Sequence, residues 1–382
     1  MGGVVIVGAS AAGWSTAESL RRFGYDGDVT IVGAESIPAY DRPPLSKQVL
    51  TGEWDHDRAM LIPAARMDKV EARVMLGTRA VNLAIAEREV ELSNGERLAF
   101  DELVIATGVR PRTLEVLPDA VVLRTLTDCI SLRDRLLAQQ ELVIVGAGFI
   151  GLEVAASARK LGAHVTIVEP MTHPLASRIG SATADKLLSL HRAAGVDFHL
   201  GVGVTEARTD PNGNRTVVLS DGTHLPGELV LVAIGCSPVT EWLADTAIDT
   251  SDGVLCDEFG RAAPGVWAVG DVARWQHPGY GLPIRVEHRQ NAAEQGGLVA
   301  RSITGSLAPL ATVPYFWTDQ YDVKIQVAGR ITPTATPTIV EGSIDDESLV
   351  MLFEDGGRPS AVLGWNAAKA MLPYRRELAS AA

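Results

Sequence analysis

Short runs of apolar residues that close on a glycine alternate along the chain with stretches whose apolar positions recur every three or four residues. Val4 to Gly13 reads VVIVGASAAG; helical spacing then continues to Phe23, and a second apolar run covers Val29 to Val32. Leu142 to Gly151 reads LVIVGAGFIG, followed by helical spacing to about Lys160 and an apolar run from Val165 to Val168. Continuous apolar strands without polar alternation belong to parallel sheets covered on both faces. Each segment therefore predicts strand, glycine turn, helix and strand, the βαβ unit.

Two further apolar strands end on glycine, ELVIATG (Glu102 to Gly108) and ELVLVAIG (Glu228 to Gly235), and a third, GVWAVGDVA, runs from Gly265 to Ala273. The first two read as closing strands at which the chain crosses between domains. The pattern predicts an α/β protein with two Rossmann-type dinucleotide-binding domains. One of them, residues 110–240, is inserted into the other, which is built from residues 1–109 and 241–310. Residues 311–382 alternate short strands with turns and form a small C-terminal α+β domain.

Composition narrows the function classes. A hydrophobic share of 46% supplies a substantial core, and a formal charge of -13 opposes a role in binding polyanions, so nucleic acid is not an expected partner. Cys129, Cys236 and Cys256 lie far apart with no C-x-x-C; they read as buried thiols rather than as a disulfide framework or a metal cluster. The eight histidines form no set at ligand spacing, and no G-x-S-x-G nucleophile turn is present. The chain enters an apolar strand within a few residues, without a basic leader, and no apolar run approaches about 18 residues. A cytoplasmic protein, outside the membrane, is expected.

In the second βαβ unit Gly146, Gly148 and Gly151 have the G-x-G-x-x-G spacing at a strand-to-helix turn. The first permits the turn, the second lets backbone approach a pyrophosphate at the helix N-terminus, and the third packs helix on strand. Glu169 follows the second strand, where its carboxylate can accept from both adenosine ribose hydroxyls. The first unit has Gly8 and Gly13 but Ser10 at the middle position, with Glu35 as its candidate ribose ligand. Two such units serve FAD with a nicotinamide cofactor, or two nucleotides of other kinds.

The segments between them carry a resemblance. YDRPPLSK (Tyr40 to Lys47), ATGVRPR (Ala106 to Arg112), GAGFIGLE (Gly146 to Glu153), AVGDVA (Ala268 to Ala273), RVEHRQNAAEQG (Arg285 to Gly296) and PYFWTDQYDVKIQVAG (Pro314 to Gly329) occur in order along almost the whole chain. Together they resemble the flavoprotein ferredoxin reductases of bacterial oxygenase systems, the putidaredoxin- and rubredoxin-reductase type. The resemblance implies FAD in the first domain, NADH in the second, and a ferredoxin or rubredoxin as partner, feeding a haem-thiolate monooxygenase or a Rieske-type oxygenase. A monomer fits that family.

Residue roles follow from the same likeness. Asp271, after Gly270, is expected at the flavin ribityl hydroxyls, and Arg42 at the FAD pyrophosphate in a loop stiffened by Pro43 and Pro44. Lys47 is expected near flavin N5, with Glu153 beside the lysine and the nicotinamide carboxamide. Glu287 and His288 are placed by the flavin ring, and Ala106, Thr107, Gly108 and Gly235 on the cofactor side of the crossing strands. Trp317 is expected at the flavin edge, where an iron–sulfur partner docks, or else in the core of the small domain.

NADH gives up two electrons as hydride whereas an iron–sulfur protein takes one at a time, and flavin bridges the two. Disulfide reductases of this fold need a redox cysteine beside the flavin; YDRPPLSK has none, so the electrons are expected to leave for an external acceptor. Arg289 departs from the pattern, since several relatives carry tryptophan there. Arg289, Arg301, Lys324 and Arg330 are either a basic docking rim or scattered surface charge. Two other readings are a diaphorase-type reductase of quinones and a redox-sensing interaction protein similar to apoptosis-inducing factor.

Overall fold

The computed structural model describes residues 3–62, 64–212 and 214–381. Val4–Val7 lies at the centre of a six-stranded sheet, parallel to Val29–Val32 on one side and Glu102–Ile105 on the other. Arg73–Met75 extends the sheet beyond Val29–Val32; Val266–Ala268 and then the antiparallel Arg261–Ala263 extend it beyond Glu102–Ile105. All four residues of the central strand are at most 3% exposed, which explains their unbroken apolar run. The helices Ala11–Arg22 and Arg289–Ile303 pack against one another over it.

The second sheet is parallel throughout, ordered Val196–Leu200, His164–Glu169, Glu141–Val145, Val230–Val232. The α/β class and the paired Rossmann-type units expected from the glycine-ended strands are present. The two chain crossings run side by side, Val109–Pro111 antiparallel to Cys236–Pro238. The Thr107 hydroxyl donates to the Val239 carbonyl at 2.7 Å and so fastens one crossing to the other.

The C-terminal sheet is antiparallel, ordered Tyr315–Gln320, Val323–Gly329, Arg358–Trp365, Leu349–Asp355, Thr336–Gly342. Its strands are six to eight residues long, so the strands are longer than the turn-rich sequence suggests. The helix Leu372–Ala381 covers one face through Leu378, with Met371 just before it buried in the same cluster.

One packing arrangement positions the site. The segment 43–51 belongs by chain order to the first unit, yet Leu45, Val49 and Leu50 bury among Leu126, Cys129 and Leu132 and among Leu152 and Ala155. Those partners lie on the helices Leu126–Ala138 and Phe149–Lys160 of the second unit. The motif lysine is thereby carried across to the face of the helix that bears Glu153.

Candidate functional site

The two glycine turns are built alike. Gly8 has φ 130° and Gly146 φ 110°; a Cβ added at either would stand 2.0 Å from the Ala106 carbonyl oxygen or 2.4 Å from that of Ala233. Gly13 and Gly151 let each helix approach its turn, a Cβ there meeting the Gly8 or Gly146 carbonyl. Gly148 differs. Its φ of −75° suits any residue, and an added Cβ would meet nothing of the chain nearer than 3.9 Å. The protein itself does not require a glycine there, and the space it leaves open lies in front of a helix N-terminus, whose unpaired amides favour anions. Ser10 stands at the same place in the first unit and makes no capping bond to its helix.

Glu169 ends its strand with the carboxylate over the second turn, accepting from the Ala147 and Met171 amides, each at 2.9 Å. The first unit surrounds its acid differently. Glu35 receives Arg42 at 2.7 Å and the Tyr40 hydroxyl, which in turn accepts from the Leu126 amide at 2.9 Å. Burial pushes the Tyr40 phenol up to about 12, so it remains a donor to the carboxylate. Arg42 also donates to the Arg124 carbonyl, and Arg124 pairs with Asp271 at 3.1 Å. Arg124 is held at this point by a capping box, Thr125 with Asp128, that starts the helix Leu126–Ala138.

The chain of charge continues past Asp271. Arg285 donates to the Asp271 carbonyl at 3.2 Å and pairs with Glu287, whose other oxygen accepts from the Cys236 thiol at 3.0 Å. Cys236 is half-buried, not fully buried as the sequence reading had it, whereas Cys129 and Cys256 are buried. Burial first, and Glu287 second, push its thiol up to about 12; it stays protonated and is a poor nucleophile. Tyr40, Arg124, Arg285 and Cys236 were not singled out as site residues. Tyr40 lay within a quoted motif, but Arg124 carried no signal, because Asp271 is 147 residues away along the chain.

Lys47 and Glu153 form a buried ion pair, Nζ to Oε2 2.6 Å, with side chains 11% and 4% exposed. Lys47 also donates to the Pro43 carbonyl at 3.0 Å. Pro43 and Pro44 open the short helix Pro43–Ser46, which fixes that carbonyl. Ser46 donates to Glu153 Oε2 and accepts, through its own carbonyl, from Ser157 at 2.7 Å. Glu153 and Ser157 are four apart and so share one helix face. Thr318 of the C-terminal sheet donates to Glu153 Oε1 at 2.6 Å.

His288 stands at the N-cap position of the helix Arg289–Ile303 without a side-chain capping bond, its ring tilted 5.1 Å from that of Phe316, which in turn lies 5.1 Å from Phe149, the residue after Gly148. Burial pulls the His288 imidazole down to about 4, and its Nδ1 has no partner in the protein. This edge of the site thus has an apolar wall with one unused ring nitrogen. Trp317 is not brought into this group: it lies on the other face of its strand, half-buried, 6.2 Å from the Tyr315 ring. Three of the four basic residues already have partners of their own. Arg289 pairs with Asp41 at 2.6 Å, Lys324 with Asp319, and Arg301 lies over the Phe23 ring about 18 Å further along the helix. Among the described residues no group of side chains could hold a metal ion, and no helix is long and apolar enough to cross a membrane.

Residues 2–296 match the family described as pyridine nucleotide-disulphide oxidoreductase, and residues 315–382 match the reductase C-terminal family. Rhodocoxin reductase of Rhodococcus erythropolis is 36% identical over 90% of this chain and 81% of its own. The ferredoxin–NAD(+) reductase component of the p-cumate 2,3-dioxygenase system of Pseudomonas putida is 37% identical over 85% of this chain and 81% of its own. The solved structure of the covalent putidaredoxin reductase–putidaredoxin complex superposes with a TM-score of 0.94 at 31% identity, covering 99% of this chain and 93% of that one. The family match spans residues 2–296 and these relatives exceed 30% identity over most of both chains, so the chain belongs to the pyridine nucleotide-disulphide oxidoreductase family, in its branch of ferredoxin and rubredoxin reductases.

Proposed function

We propose that the protein is an NADH-dependent FAD oxidoreductase that passes single electrons to a ferredoxin or rubredoxin serving an oxygenase, in the cytoplasm. The observation that carries this is the buried Lys47–Glu153 pair between two dinucleotide turns, with no cysteine on the segment that holds it. Bound FAD would supply the conversion between two-electron hydride donors and one-electron acceptors.

The chain's own part is to bind, orient and exclude water. The open helix N-terminus at Gly148 suits the NADH pyrophosphate, and Glu169, fixed by two amides, suits the ribose hydroxyls. In the first unit, Ser10 and the helix behind it suit the FAD pyrophosphate, with Arg42 as counter-charge, while Glu35 and Asp271 each keep acceptor capacity for hydroxyls. Lys47, anchored at Glu153, the Pro43 carbonyl and the Ser46 hydroxyl, presents a fixed ammonium at the junction of the two sites. The His288, Phe316 and Phe149 wall shields the reacting faces from solvent. Ala106, Thr107, Gly108, Gly235 and Gly270 bring backbone rather than bulk to the cofactor.

The test is stopped-flow mixing of the purified yellow protein with NADH, followed by a panel of iron–sulfur proteins, quinones and ferricyanide. The expected result is rapid bleaching of the flavin and reoxidation by at least one ferredoxin or rubredoxin about tenfold or more faster than by quinones. Rapid turnover with quinones and none with any iron–sulfur protein would make it a diaphorase. A colourless protein that cannot be reconstituted with FAD would overturn the proposal.

A further inference from the structure

We infer that Thr318, on the C-terminal sheet, is a positioning residue for the Lys47–Glu153 pair, and that a directed chain of hydrogen bonds through Gln320, His191 and Tyr321 sets its hydroxyl. The inference rests on the proposed flavin reductase reading. It gives the C-terminal sheet a part in the step that loads electrons, not only in passing them on.

The direction of the chain follows from donor chemistry. A carboxylate only accepts, so the Thr318 hydroxyl hydrogen points to Glu153 Oε1 at 2.6 Å, leaving its lone pairs for the Gln320 amide nitrogen at 3.0 Å. The Gln320 oxygen then faces His191 Nε2 at 2.7 Å, which must carry the hydrogen. His191 Nδ1 is left as the acceptor for the Tyr321 hydroxyl at 3.2 Å. Every member has one orientation that satisfies its neighbours. Burial lowers the His191 imidazole to about 4, so the neutral ring this pattern needs is the one present at neutral pH. Glu153, Thr318, Gln320 and His191 are each no more than 4% exposed, so water does not substitute for a missing link.

The backbone fixes the register in which this works. Thr318 and Gln320 are two apart on one strand and so point the same way, toward the helix Phe149–Lys160 and the helix Ser181–Ala193. Tyr321 sits at the hairpin tip in the left-handed region, φ 53°, held by its hydroxyl and by ring contact with His191 at 5.0 Å. Lys47 and Ser46 both bind Oε2 of Glu153, whereas Thr318 alone of these three binds Oε1. Removing that hydroxyl frees the carboxylate to rotate, and the ammonium paired with it moves too.

The test compares Thr318→Val, which keeps shape and removes the donor, with Thr318→Ser, which restores it. In the FAD-loaded protein Thr318→Val should lower the limiting rate of flavin reduction about ten- to a hundredfold, with NADH affinity little changed and Thr318→Ser near wild type. In a Glu153→Gln background the same change should add almost nothing, because Thr318 acts through that carboxylate. A second readout needs no flavin: acetylation of Lys47 in FAD-free protein, followed by peptide mass spectrometry, should quicken about tenfold in Thr318→Val and return in Thr318→Ser. If Thr318→Val does not fold, Tyr321→Phe, which removes only the far donor, should raise Lys47 labelling about twofold or more. Unchanged labelling in the folded variants, or a reduction rate within about twofold of wild type in Thr318→Val, overturns the inference. A wild-type protein that NADH does not reduce would end the functional reading instead, while the labelling arm still reports on Thr318.

Discussion

Glu169 is fixed before any cofactor arrives, because two backbone amides hold its oxygens over the second glycine turn. A ribose with a free 2′-hydroxyl can donate to the remaining lone pairs; a 2′-phosphate cannot. At about 4 Å a phosphate charge and this carboxylate repel by roughly 1 to 4 kcal/mol across reasonable dielectrics, which is about five- to a thousandfold in specificity. The protein should therefore have a higher kcat/KM with NADH than with NADPH, and Glu169→Gln should narrow the gap mainly by improving NADPH. Equal kcat/KM for the two cofactors in wild type would remove Glu169 from the nucleotide site. Glu169 was readable as a candidate from the sequence because it stands at the end of one strand. Glu153 was different: only the likeness of GAGFIGLE to a family pointed to it, since its partners Lys47 and Thr318 lie 106 positions before it and 165 after it in the chain.

The strand Tyr315–Gln320 divides its side chains between two tasks. Phe316, Thr318 and Gln320 face the paired units, and Trp317 and Tyr315 face away from them. Trp317 is half-buried and outside the apolar cluster of the small domain, with its ring 6.2 Å from that of Tyr315, which does not fit the reading of it as small-domain core. Deleting a fully buried Trp costs roughly 3 to 5 kcal/mol, and a half-buried one correspondingly less. Trp317→Ala should thus leave FAD content and the ferricyanide reaction near wild type and the melting temperature only slightly lower. If its face receives the iron–sulfur partner, electron transfer to that partner should fall about tenfold or more. An unchanged rate with the partner would move docking to another face. Apolar periodicity placed the strands of the two βαβ units within a residue or two, but it missed the parallel edge strands Arg73–Met75 and Val196–Leu200 and could not reveal that the segment 43–51 packs on the second unit. Its apolar residues look the same whichever neighbour covers them.

At the scale of the molecule, the two units share a seam of charge that runs from Glu35 through Arg42, Arg124 and Asp271 to Arg285 and Glu287. The sequence marked four of these six as site residues; the helix cap at Thr125 brings in Arg124, and the strand Leu282–Arg285, paired with Ala273–His277, brings in Arg285. The seam has a consequence for stability. A ligand that binds the folded state alone stabilises it by RT ln(1 + [L]/Kd), about 2.7 kcal/mol at a hundredfold excess over Kd and about 4.1 at a thousandfold. With FAD lying against the first unit, its pyrophosphate would complete the charge of Arg42 and its hydroxyls would use the free acceptors of Glu35 and Asp271. Removing FAD should therefore lower the melting temperature by several degrees, and adding FAD back should restore it, whereas NADH alone should not. Arg42→Gln should shrink the difference between the FAD-loaded and FAD-free proteins while changing the FAD-free melting temperature much less, because the arginine's neighbours Glu35 and Arg124 retain other partners at Tyr40 and Asp271. Scanning calorimetry of the two proteins with and without FAD decides it. Equal melting temperatures with and without FAD would show that the cofactor is not bound across this seam.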